Sequence, residues 1–275
     1  MRKFAVSACL LAACSTPAAG GAAAGCKQRL VSLHDVTTEA VLRYGAGACL
    51  VGVSEPTDLD PGLVVQLKST PRVQSTESVL AAEPTQVLAL AIVAEHQPEL
   101  FRELDRRQIG WMAPRLERLA DVSTLAADVA ARSERNAQAA GWLSRLAALR
   151  PAPQLKPARV FVFDCCGPPY TAGRRAVLTD LLAHAGGQNV FADVDDDWFH
   201  ASWEAAIERK PDLVLIDDYG GPENLAEKRA ALARVRPLAE LPVVVLPLRD
   251  ALGTIRSAEV VQRLTAAIAR GAGGV

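Results

Sequence analysis

Four residues could ligate a soft metal: His34, the adjacent pair Cys165-Cys166, and His200. Imidazole and thiolate suit zinc and other late first-row ions. They come from separate segments, with no finger-like spacing, so only the fold can bring them together. Each follows an apolar run that reads as a strand: Arg29 to Leu33 before His34, and Arg159 to Phe163 before Asp164-Cys165-Cys166. In open α/β sheets, ligands lie beyond the carboxyl ends of strands. The same rule gathers Asp35, Ser54, Glu55, Asp164, Asp217 and Tyr219, with Tyr170 and Trp198 as aromatic walls. Aromatic faces also suit a planar macrocycle or a catechol chelate. Other readings stand beside these. His34 could cap the helix after it, and His200 could sit on a solvent-facing turn. Cys165-Cys166 could be two small buried hydrophobes or a vicinal disulfide. An exported thiol redox enzyme using that pair is the alternative function. It lacks C-x-x-C spacing, and G-x-S-x-G, a phosphate loop and H-E-x-x-H are also absent.

The elements that must position these groups read as an α/β chain. Strand runs Leu50 to Ser54, Val87 to Leu90 and Ile109 to Met112 alternate with helical stretches near 77–82 and 97–108. A second series follows: strands at 159–164, 189–192, 213–216 and 241–246, and helices near 174–185, 204–209, 223–234 and 257–270. Alternation of this kind predicts parallel sheets with helices on both faces. Between the two series, residues 123–150 are rich in Ala, Leu and Arg, strong helix formers. About 26 helical residues make a rod of roughly 39 Å. We expect Ser123 or Thr124 to cap it and Pro151 to end it. The expected architecture is two lobes, each with a mostly parallel sheet, bridged by one long helix; the alternative is a long surface helix on a single domain.

The two series match in detail. Glu77 lies seven residues before Pro84, and Glu204 seven before Pro211, with a strand run two or three residues after each proline. Arg29 opens one series and Arg159 the other. Two copies of one unit explain several matches in the same order.

Lys and Arg total 30 against 31 Asp and Glu, with no basic block, so no nucleic-acid partner is expected. Arg2 and Lys3 precede a short apolar stretch, and Leu11-Ala-Ala-Cys14 follows. This resembles the lipobox of bacterial lipoproteins, which implies a cut after residue 13 and a lipid on Cys14. An ordinary secretory signal cut near Ala18–Ala24 is the alternative. The expected boundaries are a signal at 1–13, a tether at 14–26, lobes at 27–122 and 151–275, and the linking helix at 123–150. Export permits disulfides. Cys26 and Cys49 precede adjacent strands at one sheet edge, and their pairing would stabilise by roughly 3 kcal/mol in the chain-entropy view.

At residues 28–270 the chain resembles the substrate-binding proteins of bacterial importers for cobalamin, ferric siderophores and haem, driven by ATP-binding-cassette (ABC) ATPases. The matching pieces are Arg29 to Leu33, Thr38-Glu39 through Gly45-Ala-Gly47, Leu50 to Val53, Ser78 to Pro84 and Ala205 to Leu215. The resemblance implies a periplasmic, non-catalytic, monomeric carrier. It would capture a metal chelate or a metal ion and deliver it to a permease dimer and its ATPase. The sulfur and nitrogen donors, not the resemblance, put zinc or cobalt before ferric iron, which prefers oxygen. The resemblance also implies one exposed docking glutamate per lobe. The matched offsets make these Glu77 and Glu204.

Overall fold

A computed structural model describes residues 26–151, 156–219 and 221–272. The signal, Cys14 and most of the tether lie outside them. The first half builds a four-stranded sheet from β1 (Leu30–Ser32), β2 (Leu50–Val53), β3 (Gln86–Leu88) and β4 (Gly110–Met112), in the order β2-β1-β3-β4. All its pairings are parallel. The second half builds another parallel sheet. It contains β5 (Ala158–Phe163), β7 (Gly187–Asn189), β9 (Leu213–Asp218) and β10 (Val243–Pro247), in the order β10-β9-β5-β7. Between β5 and β9, β6 (Tyr170–Ala172) and β8 (Trp198–His200) form a separate antiparallel ribbon.

The central strands are near-continuous apolar runs because both of their faces are covered. Phe161 and Phe163 are fully buried on one face of β5, and Val160 and Val162 on the other. A buried side chain of this size contributes roughly 1.5–3 kcal/mol. Val31 and Val87 pack against Leu100, Phe101 and Leu104 of the helix Pro98–Arg106, while Leu30 and Leu88 face the opposite cluster.

The linking stretch is not a single rod. It forms two helices, Leu119–Arg132 and Asn136–Ala148, broken at Ser133-Glu134-Arg135, where Glu134 takes a left-handed φ of 55°. Val122, Leu125 and Val129 of the first helix and Ala139 and Leu146 of the second enter the same core. Two short helices cover that core on one side, which a straight rod could not do. The cap differs too. Ser123 and Thr124 hydroxyls donate to Leu119 and Ala120 carbonyls inside the helix. The helix starts at Leu119, and Asp121 accepts from the Glu117 and Arg118 amides. The strand placed at 189–192 falls earlier, at Gly187–Asn189. There the Asn189 amide donates to Ala172 and Thr179 while its carbonyl oxygen accepts from the Phe191 amide, turning the chain out of the sheet.

The halves touch through buried charge as well as apolar contact. Glu39, in the helix Asp35–Arg43, accepts from Arg256, just before the helix Ser257–Ala272. Arg256 also pairs with Asp250 at 2.9 Å. Burial opposes the Arg256 charge, but Glu39 and Asp250 outweigh it and raise its pKa.

Candidate functional site

The two halves meet in a cleft lined on one side by His34, Ile92, Arg115 and Leu116. Val177, Asp197, Trp198 and Leu252 line the other side. Its enclosed part is about 140 Å³. A larger hollow of about 670 Å³ lies against β10 and the helix Ser257–Ala272. That hollow includes none of the strand-end residues gathered above, so position favours the cleft.

His34 directly follows the β1 run and caps the helix Asp35–Arg43. Its Nδ1 accepts from the Val36 amide at 3.2 Å. Burial lowers its pKa, and the neighbouring Asp35 only partly opposes this, so the ring is neutral at pH 7. Capping uses Nδ1 and leaves Nε2 as the ring's other polar atom. Asp35 accepts from the Thr57 and Asp58 amides and so ties down the loop after β2. Glu55 is exposed and pairs with Arg72 at 3.4 Å.

The opposite wall rests on the β6–β8 ribbon. Tyr170 stacks on Trp198 with ring centroids 6.0 Å apart and planes at 23°, and lies 4.9 Å from the His200 ring. His200 is paired with Tyr170 in the ribbon register, and Trp198 lies diagonally across, within reach of a long side chain. Tyr170 and His200 therefore continue the aromatic wall beyond Trp198. Burial, with Asp164 second, raises the Tyr170 pKa, so the phenol keeps its proton.

Behind this wall lies a buried charge cluster. Lys228 Nζ sits 3.5 Å from Asp164 Oδ1 and 3.4 Å from Asp217 Oδ1, and donates to the Asp217 carbonyl. Burial and the neighbouring Asp164 push the Asp217 pKa up, against the pull of Lys228. Tyr219 covers Lys228, whose Nζ is 3.7 Å from the ring centroid. Tyr219 and Asp164 thus belong to an internal cluster.

The four-ligand metal set is not assembled. Cys165 and Cys166 are joined as a vicinal disulfide and offer no thiolate. His34 Nδ1 is engaged as a cap, and His200 Nδ1 lies 3.3 Å from the Pro168 carbonyl. Among the described residues, no three His, Cys, Asp or Glu side chains converge as a metal site. Direct zinc or cobalt coordination by His34, Cys165, Cys166 and His200 is therefore corrected. Cys26 and Cys49 form a second disulfide, with Cα atoms 5.2 Å apart.

Sequence reasoning missed Ile92, Arg115, Asp197 and Leu252 in the cleft, and Lys228 behind it. Asp197 reads as part of a solvated acidic run, Asp195-Asp-Asp197. In the fold it is half-buried, and desolvation raises its pKa against the pull of Arg115 and Arg175. The sequence carries a signal only for Asp197: it immediately precedes Trp198.

The sequence profile described as periplasmic binding protein matches residues 30–242. This chain belongs to the periplasmic binding protein family. A vitamin B12-binding protein of Salmonella choleraesuis (strain SC-B67) is 30% identical over 198 residues, covering 70% of this chain and 73% of that protein. A periplasmic binding protein from Veillonella parvula dsm 2008 superposes with a TM-score of 0.75 at 19% identity, covering 90% and 92% of the two chains. The periplasmic heme-binding protein RhuT from Roseiflexus sp. RS-1 gives 0.72 at 23% identity, covering 89% and 99%. At these identities the structures establish the two-lobed α/β fold. Periplasmic binding proteins are carriers and not enzymes, which removes the thiol-enzyme alternative. Proteins of the family work with ABC permeases and their ATPases.

Proposed function

We propose that this periplasmic binding protein captures a corrinoid-type metal chelate in the cleft between its halves and delivers it to an ABC permease. The observation that carries the reading is the pairing across that cleft of neutral His34 with the Trp198–Tyr170 aromatic wall. A flat, largely apolar macrocycle offers a face for the rings to cover. Its amide or carboxyl edge offers partners for His34 and Arg115. The similarity to vitamin B12-binding proteins supports a corrinoid ahead of haem or a ferric siderophore. An enclosed volume of about 140 Å³ is below the ~300–1,000 Å³ of pockets that enclose drug-sized ligands, so most of a macrocycle would project from the cleft. The metal then arrives wrapped in its chelator, which fits a site without a converging ligand set.

Glu77 and Glu204 are the proposed docking residues. Each is exposed, and each is the second residue of a six-residue helix, Thr76–Ala81 or Trp203–Glu208, capped by a serine. Ser75 accepts from the Ser78 amide, and Ser202 from the Ala205 amide. A carboxylate at a helix start is also favoured by the helix dipole, so the two positions hold fixed negative charges. Arginines on a permease would read them as orientation marks more than as a source of affinity. Cys14 is the proposed lipid anchor, with multiple chains needed for firm attachment. Native mass spectrometry with metal analysis, on protein taken from its own periplasm, tests the ligand reading. A corrinoid mass with one cobalt per chain is expected. Retention of a bare metal or a siderophore would overturn it.

A further inference from the structure

The vicinal disulfide is placed where its opening reaches the cleft. Cys165 and Cys166 lie in the turn between β5 and β6, directly after Asp164. The turn is a tight hairpin: the Tyr170 amide donates to the Cys165 carbonyl at 2.8 Å, and the Asp164 amide to the Tyr170 carbonyl at 3.0 Å. Cys166 takes φ 73°, a left-handed conformation uncommon for any residue but glycine. The far arm carries Tyr170, which stacks on Trp198 in the cleft wall. The turn also holds the other ribbon strand, since the Ala201 amide donates to Pro169 and His200 Nδ1 meets Pro168. Both arms of the aromatic wall are therefore fixed to the turn that the disulfide closes.

The two disulfides differ in what they constrain and in who can reach them. Cys26–Cys49 spans 23 residues, and Cys49 is buried. That bond closes a long loop and restrains the unfolded chain. Cys165–Cys166 joins neighbours and closes no such loop, so its constraint is local to the turn. Cys166 is exposed and Cys165 only half-buried. Exchange requires a thiolate to reach a disulfide sulfur, which the exposed Cys166 permits.

We infer that Cys165–Cys166 is a thiol–disulfide exchange site through which a dithiol lowers the affinity of the cleft for its ligand. The reductant's thiolate attacks Cys166 Sγ, the Cys165–Cys166 bond breaks, and the electron pair leaves on Cys165 Sγ. The reductant's second thiolate then attacks its own sulfur in the mixed disulfide and expels Cys166 as thiolate. The dithiol loses two electrons and becomes a disulfide, and its two protons pass to the cysteines. With the bond open, Cys166 is released from its left-handed backbone, and the turn no longer fixes Tyr170 against Trp198. The consequence for affinity rests on the chelate-binding reading; the exchange itself does not.

The test is a dithiothreitol titration of the wild-type protein with free thiols tagged, counted and mapped. Cyanocobalamin and haemin affinity and near-ultraviolet circular dichroism are followed in parallel. The first two thiols are expected at Cys165 and Cys166, before any at Cys26 and Cys49. Over the same interval affinity should fall at least about threefold. Cys165→Ser/Cys166→Ser should show the reduced affinity and no response to dithiol. Simultaneous opening of both disulfides, or unchanged affinity with Cys165 and Cys166 reduced, would overturn the inference. If neither ligand binds in either state, the chelate reading falls on its own. Tryptophan fine structure, at wavelengths beyond the disulfide's own dichroism, then decides the structural half of the inference: a change in step with the first two thiols sustains the loosening of the Tyr170–Trp198 stack, and a flat signal rejects it.

Discussion

Arg29 and Arg159 make the same contact in the two halves of the protein. Arg29 donates to the Ala82 and Glu83 carbonyls at the end of the helix Thr76–Ala81, both at 2.8 Å. Arg159 donates to the Arg209 and Lys210 carbonyls at the end of the helix Trp203–Glu208. In each half the arginine amide also meets a side chain just past the proline, Thr85 or Asp212. Glu83 and Lys210 both have φ 48°. The sequence match between the halves is thus a match of contacts, in which a charged fork satisfies helix-terminal carbonyls and anchors the start of each central strand.

Removing these forks should destabilise unequally. Arg159 is half-buried and Arg29 exposed. Arg159→Ala should cost about 1.5–3 kcal/mol, the range for hydrogen bonds to a charged group. Arg29→Ala should cost about 1 kcal/mol or less, because water screens it and replaces its bonds. Urea unfolding of both variants measures this, and Arg159→Lys should not recover the full loss.

Glu39 and Arg256 join the halves through a buried ion pair. Glu39→Ala leaves Arg256 underpaired and should cost about 3–5 kcal/mol. A double change, Glu39→Leu with Arg256→Met, should cost less than the sum of its parts. A double-mutant cycle by calorimetry reads this coupling, and additive losses would show that the pair is not coupled.

His34 gives a pH signature. Its folded-state pKa is lowered, mainly by burial. A lowered pKa contributes stability that is complete above the unfolded value, about 6.5, and is lost as pH falls through the folded value. Wild-type stability should therefore drop on acidification below pH ~6.5. His34→Asn keeps a capping oxygen without a titrating ring, and that part of the drop should vanish. Denaturant midpoints from pH 7.5 to 5 provide the comparison.

Charge reversal at Glu77 and Glu204 together should abolish uptake in cells while leaving ligand affinity within about twofold. The paired measurement is transport of labelled ligand against calorimetric binding. A loss of binding equal to the loss of transport would move these residues out of the docking role.

Much of the fold was legible because parallel, doubly covered strands produce dense apolar runs, as at Val160 to Phe163 and Leu213 to Ile216. The β6–β8 ribbon was not. Tyr170–Ala172 and Trp198–His200 are three residues each and pair across 25 intervening residues, so no local period marks them. The linking stretch misled because helix propensity is continuous through Ser133 to Arg135. The break comes from packing both helices on one core, a tertiary effect. For the site, strand-end position gathers His34 and Trp198, and both line one cleft of the structure. It could not show that Asp35 anchors a loop, that Glu55 pairs outward with Arg72, or that adjacent cysteines would be oxidised. These outcomes depend on side-chain partners that only the folded chain supplies.

The most direct measurement is a calorimetric titration of cyanocobalamin into wild-type protein, Trp198→Ala and Tyr170→Ala, with haemin and a ferric siderophore as comparators. The proposal predicts one corrinoid per chain, bound more tightly than either comparator. It also predicts affinity at least tenfold weaker in Trp198→Ala and several-fold weaker in Tyr170→Ala. Unchanged corrinoid affinity in both variants, or tighter binding of haemin or siderophore by the wild type, would contradict it.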